Sequence, residues 1–186
     1  RNMGSNAAGG DDRLRGGDAA DNTLLGEGES MAGNTTGGND RLRGGDRGAT
    51  NLLVGDATEM SGQARGGDDW LKGGGAGTTN SLYGDAVRLL DQSHGGNDTL
   101  VSGRGTDLMW GDAAVVDPGA TTGADTFVFG RHSGNDTIFD FRESDGDRID
   151  VSGRGIGSLA DMTLSDTADG ALVVFEPSDA KLHGLV

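Results

Sequence analysis

The sequence predicts an all-β solenoid of very short parallel strands, and three observations carry that prediction. The first is a period. The stretch GGNDRLRGGDRGATNLLVGDATEMSGQAR opens at Gly37. Near-copies open at Gly9, Gly66 and Gly95, with a divergent fifth at Gly123, so the start points are almost evenly spaced. Self-similarity at such a period is the signature of stacked repeats. The second is alternation. Each copy holds three short runs in which apolar and polar residues alternate, separated by GG, GD and SG pairs. That is the pattern of brief strands joined by tight turns. The third is composition. With 37 Gly and only 33% hydrophobic residues, the chain has too little apolar mass for a conventional core. Something besides hydrophobic burial has to hold the repeats together.

Taken in order, residues 1 to 8 read as the tail of a preceding repeat. In each copy the first run (DRLR and its equivalents) points Leu14, Leu42, Leu71 or Leu100 inward. The second (NxL) points Leu24, Leu53, Leu82 or Met109 inward. The third and weakest does so with Met31, Met60, Leu89 and Val116. Two places before the inward residues of the first two runs stand polar residues in pairs. These are Asn22 and Asp40, Asn51 and Asp69, Asn80 and Asp98, and Asp107 and Asp125. All four pairs share one separation, the length of two strand-plus-turn units. Two such units would make one turn of the coil if these pairs stack, and stacked strands lie about 4.8 Å apart. Carboxylate and amide oxygens would then face each other beside glycine turns whose carbonyls are unhindered.

Charge and residue types narrow the function. The net charge of −15 disfavours a nucleic-acid partner, because phosphate binding needs the opposite sign. The acids recur at fixed places in the repeat, which marks them as ligands for a hard cation rather than a solvating tail. No Cys is present, which excludes disulfides, thiolate metal sites and a Cys nucleophile. No apolar run approaches membrane-spanning length. His94, His132 and His183 are scattered and no HExxH occurs, so a catalytic zinc site is not expected. GESMAG (28–33) superficially suggests a serine-hydrolase elbow, but its spacing is one residue too long. The chain is therefore read as non-catalytic, and as part of something longer.

GGNDRLRGG, GGDDWLKGG and GGNDTL resemble the nonapeptide repeat of the haemolysin-type calcium-binding, or RTX, family. The likeness covers residues 9 to about 129. GADTFVFGRHSGNDTIFDFRESDGDRIDVSG (123–153) resembles the cap that follows such arrays in serralysin-type secreted proteases. The resemblance implies a right-handed parallel β-roll over 1–122 and a roll end with a β-rich cap over 123–186. It implies several calcium ions, with Asp12, Asn22, Asp40, Asn51, Asp69, Asn80, Asp98, Asp107, Asp125 and Asp136 as turn ligands. Asp140 and Asp147 resemble a pair closing a last site. The neutral amides of Asn22, Asn51 and Asn80 stand where the family has Asp, which implies weaker sites there. The third unit lacks an aspartate in register. Asp56, Asp85 and Asp112 either ligate from a shifted position or belong to a unit that bulges outward. Within the cap, GSLADM is expected to form a helical turn and TADG the turn of a hairpin.

What this implies for function is a structural module of a secreted bacterial protein, exported unfolded and folding on calcium outside the cell. Two other classes stand beside it: a self-associating adhesin, surface-layer or fibre protein, and the tail of a secreted protease, lipase or polysaccharide epimerase. Two outward rows bear on partners. Arg13, Arg15, Arg41, Arg43 and Lys72 form a basic ladder, which either pairs with Asp18 and Asp46 or binds an anionic polysaccharide. Leu25, Val54, Tyr83 and Trp110 form an apolar ladder, which is either covered by the third unit or open to another copy of the chain.

Overall fold

The computed structural model describes residues 2–48 and 50–154, and the backbone of two further strands, Met162–Thr167 and Gly170–Phe175. Residues 2–150 wind as a parallel solenoid with three strands in each regular rung. The first runs of the repeat stack into a six-stranded sheet: Arg13–Arg15, Arg41–Arg43, Trp70–Lys72, Thr99–Val101, Thr126–Val128 and Arg148–Asp150. The second runs stack into a five-stranded sheet: Asn22–Leu25, Thr50–Val54, Thr79–Tyr83, Thr106–Trp110 and Asn135–Ile138. The third runs form another five-stranded sheet: Asn2–Met3, Gly28–Met31, Ala57–Met60, Ala86–Leu89 and Val115–Val116. All pairings within these three sheets are parallel. The parallel β-roll architecture expected from the sequence is therefore present.

The inward residues are those the alternation assigns. Leu42, Leu53, Leu71, Leu82, Leu100, Met109 and Phe127 are completely buried between the first two sheets. Met31, Met60 and Leu89, with Ala57 and Ala86, fill a second, smaller core under the third sheet. Leu14, Leu24 and Val116, in terminal or near-terminal rungs, are partly buried. Such short strands suffice because each inward side chain stacks on its equivalent one rung away, as Leu42 does between Leu14 and Leu71.

The stacking partners differ from those the sequence suggests. Asn22 lies beside Asn51, Asn51 beside Asn80 and Asn80 beside Asp107, each a full repeat further on rather than two units. The physical reason is the third unit. It is not a bulge. After the second strand the chain makes one more hydrogen-bonded strand, with its own core, before a rung closes. The evenly separated pairs Asn22/Asp40, Asn51/Asp69, Asn80/Asp98 and Asp107/Asp125 therefore do not stack. Their members stand at or next to the starts of strands of different sheets.

The outward rows divide. Arg15 and Arg43 pair with Asp18 and Asp46 at 3.4–4.0 Å, as the solvated reading expects. The Arg41 guanidinium sits 3.7 Å over the Trp70 ring. In the apolar row Val54 is fully buried, contrary to an outward-facing ladder, and Leu25 is half-buried. Tyr83, Trp110 and Phe139 stack face to face at 4.5 and 4.3 Å, each ring covering its neighbour. The hairpin expected around TADG is present as antiparallel Met162–Thr167 and Gly170–Phe175. The helical turn expected at GSLADM falls outside the described residues, save that Met162 opens the first strand of this hairpin.

Candidate metal centre

The first two strands of a rung run out and back over the main core. The end of the second strand therefore returns to where the first strands begin, and the third-sheet lobe leaves and rejoins the roll at this neck. The repeat places one acid on each side of it. Glu27, Asp56, Asp85 and Asp112 follow the second strand, and Asp140 occupies the equivalent place in the last rung. Asp40, Asp69, Asp98, Asp125 and Asp147 immediately precede the first strands. The acids thus fall into five pairs along the solenoid axis: Glu27/Asp40, Asp56/Asp69, Asp85/Asp98, Asp112/Asp125 and Asp140/Asp147. Asp40, Asp56, Asp69, Asp85, Asp98, Asp112, Asp125 and Asp147 are each no more than 6% exposed.

Backbone amides hold these carboxylates in place. On the returning side, each aspartate N–H donates to Oδ1 of the next: Asp12 to Asp40 at 2.6 Å, Asp40 to Asp69 at 2.6 Å, Asp69 to Asp98 at 2.7 Å, Asp98 to Asp125 at 2.8 Å and Asp125 to Asp147 at 2.9 Å. On the leaving side, glycine amides donate to the acids: Gly38 to Glu27 at 2.8 Å, Gly96 to Asp85 at 2.6 Å and Gly123 to Asp112 at 2.6 Å. Asp140 closes the row by accepting from Gly111 and Asp112 at 2.8 and 3.1 Å.

One oxygen of most of these groups is left over. The Oδ2 atoms of Asp40, Asp69, Asp85, Asp98 and Asp125, and Oε2 of Glu27, are buried and have no hydrogen-bond partner. Buried acceptors without partners are rare and each calls for a physical explanation. The glycines beside them mark where something fits. A Cβ on Gly55 would lie 1.8 Å from the Gly84 carbonyl oxygen and 2.0 Å from Asp69 Oδ2. One on Gly84 would lie 1.8 Å from the Gly111 oxygen and 2.1 Å from Asp98 Oδ2. In these rungs a carboxylate oxygen and a carbonyl oxygen converge on the same small space, which only glycine leaves open.

Electrostatics point the same way. Burial, reinforced by neighbouring carboxylates, pushes Asp69 and Asp125 up to about 8 and Asp112 up to about 7. Burial likewise raises Glu27 to about 8, and Asp56, Asp85 and Asp98 well above the usual carboxylate range. Among the described residues no three His, Cys, Asp or Glu side chains form a compact metal-binding group. The acids form a line of pairs instead, supplemented by carbonyls. Hard cations such as calcium accept that oxygen chemistry, and the donor set fits one.

The opposite corner, between the first and second sheets, carries the asparagines and is built differently. Asn51 Oδ1 accepts from Asn22 Nδ2 at 2.8 Å and from Gly45 N at 2.9 Å, while its Nδ2 donates to Asn80 Oδ1 at 2.6 Å and to Gly45 O at 3.1 Å. Asn80 Nδ2 donates onward to Asp107 Oδ1 at 2.6 Å. The change from Asn to Asp at that rung has a reason: Asp107 receives Asn80 on one oxygen and Gly103 N on the other at 2.8 Å. Asp136 ends the row, accepting from Asp107 N at 3.1 Å and Ser102 Oγ at 2.7 Å.

Of the residues the sequence singles out, Asp40, Asp69, Asp98, Asp125, Asp140 and Asp147 come together at the neck, with exposed Asp12 at the row's end. Asn22, Asn51, Asn80, Asp107 and Asp136 lie in the other corner, their oxygens engaged in hydrogen bonds. Sequence reasoning misses Glu27, and offers Asp56, Asp85 and Asp112 only as shifted alternatives. Their signal is the recurrent Gly-acid pair after each second strand.

Comparisons with family models, with curated proteins and with solved structures find no match.

Proposed function

We propose that the chain is a non-catalytic, calcium-binding structural module of the RTX type, belonging to a secreted protein and folding on calcium. The observation that carries this reading is the row of unpartnered carboxylate oxygens buried at the neck. Ten carboxylates line that row, and a fully ionised row would bear a charge of −10. Five divalent cations would offset it. The residues that would hold them are the five Glu/Asp pairs, with the Gly55, Gly84 and Gly111 carbonyls alongside. When bound, calcium supplies the positive charge and the oxygen-coordinating partner that the buried carboxylates lack.

This chain's own residues do the rest. The backbone N–H ladder fixes one oxygen of Asp40, Asp69, Asp98 and Asp125 and leaves the other free for the row. The glycines keep the space open. The third sheet and the roll both close on the neck, so the row ties the two small cores to each other. A low-calcium cytoplasm then favours the unfolded chain through carboxylate repulsion, and an extracellular calcium level near about 10⁻³ M favours the folded one. The module is proposed to work outside the cell for that reason.

The test is far-UV circular dichroism during a calcium titration at pH 8, with magnesium as control and light scattering alongside. A cooperative gain of β signal with calcium alone is expected. Full β signal in chelator at that pH would overturn the reading. Growth of scattering with calcium would instead assign the folded module to self-assembly.

A further inference from the structure

The corner between the first two sheets is not uniform along the axis. Four rungs make a long connection there, from Arg15 to Asn22, from Arg43 to Thr50, from Lys72 to Thr79 and from Val128 to Asn135. The rung between the last two makes a short one, from Val101 to Thr106. The short SGRG turn therefore lies recessed between longer neighbours, and the recess is a cleft of about 520 Å³. Its size falls within the roughly 300–1,000 Å³ of ligand sites. Successive rungs contribute Arg43, Lys72, Arg104 and Arg131 to its lining, with His132 beside them. Asp46 is the one carboxylate of the lining, and it pairs with Arg43 at 3.4 Å and with Arg15 at 4.0 Å. Lys72, Arg104 and Arg131 make no ion pair among the described residues.

That is an unusual place for unpaired cations. The chain carries 30 acids against 15 Lys and Arg, so acidic partners are abundant. Many of the acids lie inside the neck instead, while the cations converge in a concave notch on the opposite corner. The floor is glycine backbone, Gly74 and Gly103 among it, which lets a ligand approach closely. No aromatic ring other than the His132 imidazole lines the cleft, so there is no broad platform for stacking a base or a sugar face. Recognition is by charge, and guanidinium groups suit planar or tetrahedral oxyanions.

We propose that the notch binds a compact polyanion bearing two or more oxyanion groups, held by Lys72, Arg104 and Arg131 on three adjacent rungs. The proposal rests on the roll and its shortened turn, not on the calcium reading, so either can fail alone.

Isothermal titration of the full chain tests it, with circular dichroism confirming the fold in the buffer used, calcium included if folding requires it. Three probes separate the sources of oxyanion: sucrose octasulfate, a galacturonate trisaccharide and glucose 1,6-bisphosphate. One-to-one binding of at least one probe, weakening as salt is raised, is expected. R104A and K72A should each weaken it about ten-fold, while R13A and R88A, outside the notch, should leave it within about two-fold. R104K, which keeps the charge, should recover most of the loss. Equal losses at notch and control sites, or no binding of any probe by the folded chain, would overturn the proposal.

Discussion

The neck and the opposite corner are both lines of polar side chains stacked rung on rung, and they solve burial in opposite ways. At the corner, Asn51 both donates and accepts, so a column of identical amides satisfies itself: each Nδ2 meets the next Oδ1 at 2.6–2.8 Å. At the neck, ionised carboxylates can only accept. Backbone amides satisfy one oxygen of Asp40, Asp69, Asp98 and Asp125 and leave the other without a donor; only Asp147, at the row's end, receives amides on both. A column of Asn is thus a finished structure, whereas a column of paired Asp and Glu requires protons or cations. Asx side chains stacked along a coil are not by themselves evidence of metal binding; the unpartnered oxygen is.

The widest separation between the neck and the asparagine rungs of the corner is expected with pH in the absence of metal; Asp136, pushed up by burial to about 8 at the corner's end, adds to the neck's response. The neck carboxylates, pushed up to about 7–8 from an ordinary value of 3.8, hold protons more tightly folded than unfolded. The native chain then carries more protons across that window, so its stability falls as pH rises from about 4 to about 8. Urea melts in chelator should show this loss, and calcium should abolish it. A flat profile in chelator would mean that the neck is not desolvated.

Exchanging the residue types across the two columns should come next in size. N51D places an acceptor against Asn80 Oδ1 and the Gly45 carbonyl, and should cost about 3 kcal/mol with or without calcium. D98N removes one buried charge. It should stabilise the metal-free chain at pH 8 while raising the calcium concentration needed for half-folding. Equal responses of the two variants to calcium would erase the distinction between the columns.

Glycine substitutions give a smaller contrast. G84A drives a methyl to within 1.8 Å of the Gly111 carbonyl and should cost about 2 kcal/mol. G17A, whose Cβ would meet only Asn22 Oδ1 at 3.8 Å, should stay within about 0.5 kcal/mol. A comparably small effect is expected at R43A, which loses an exposed pair with Asp46 worth less than about 1 kcal/mol. Thermal melts in calcium would rank all three.

Much of this is legible in the sequence. Alternation within each run identifies Leu42, Leu53, Leu71, Leu82 and Met60 as inward, because side-chain facing along a strand is a local property of period two. The period announces stacking, and recurrent acids announce a polar line along the axis. The constant separation of pairs such as Asn51 and Asp69 misleads, because the two occupy equivalent places in their own runs without occupying the same corner. The neck partner of Asp69 is Asp56, which stands earlier in the chain and is brought close by the return of the second strand.

That the chain coils, which leucines and methionines of each run face the cores and that its acids lie in register from rung to rung are all settled by sequence. Those features follow from local alternation and close repetition. How many strands close a rung, and so which polar residues meet, is settled by packing alone. It depends on where the third run lies, as a bulge or as a sheet with its own core. Met31, Met60 and Leu89 are buried deeply enough to make it a sheet. Once it is, the acids meet across the neck and the asparagines meet each other.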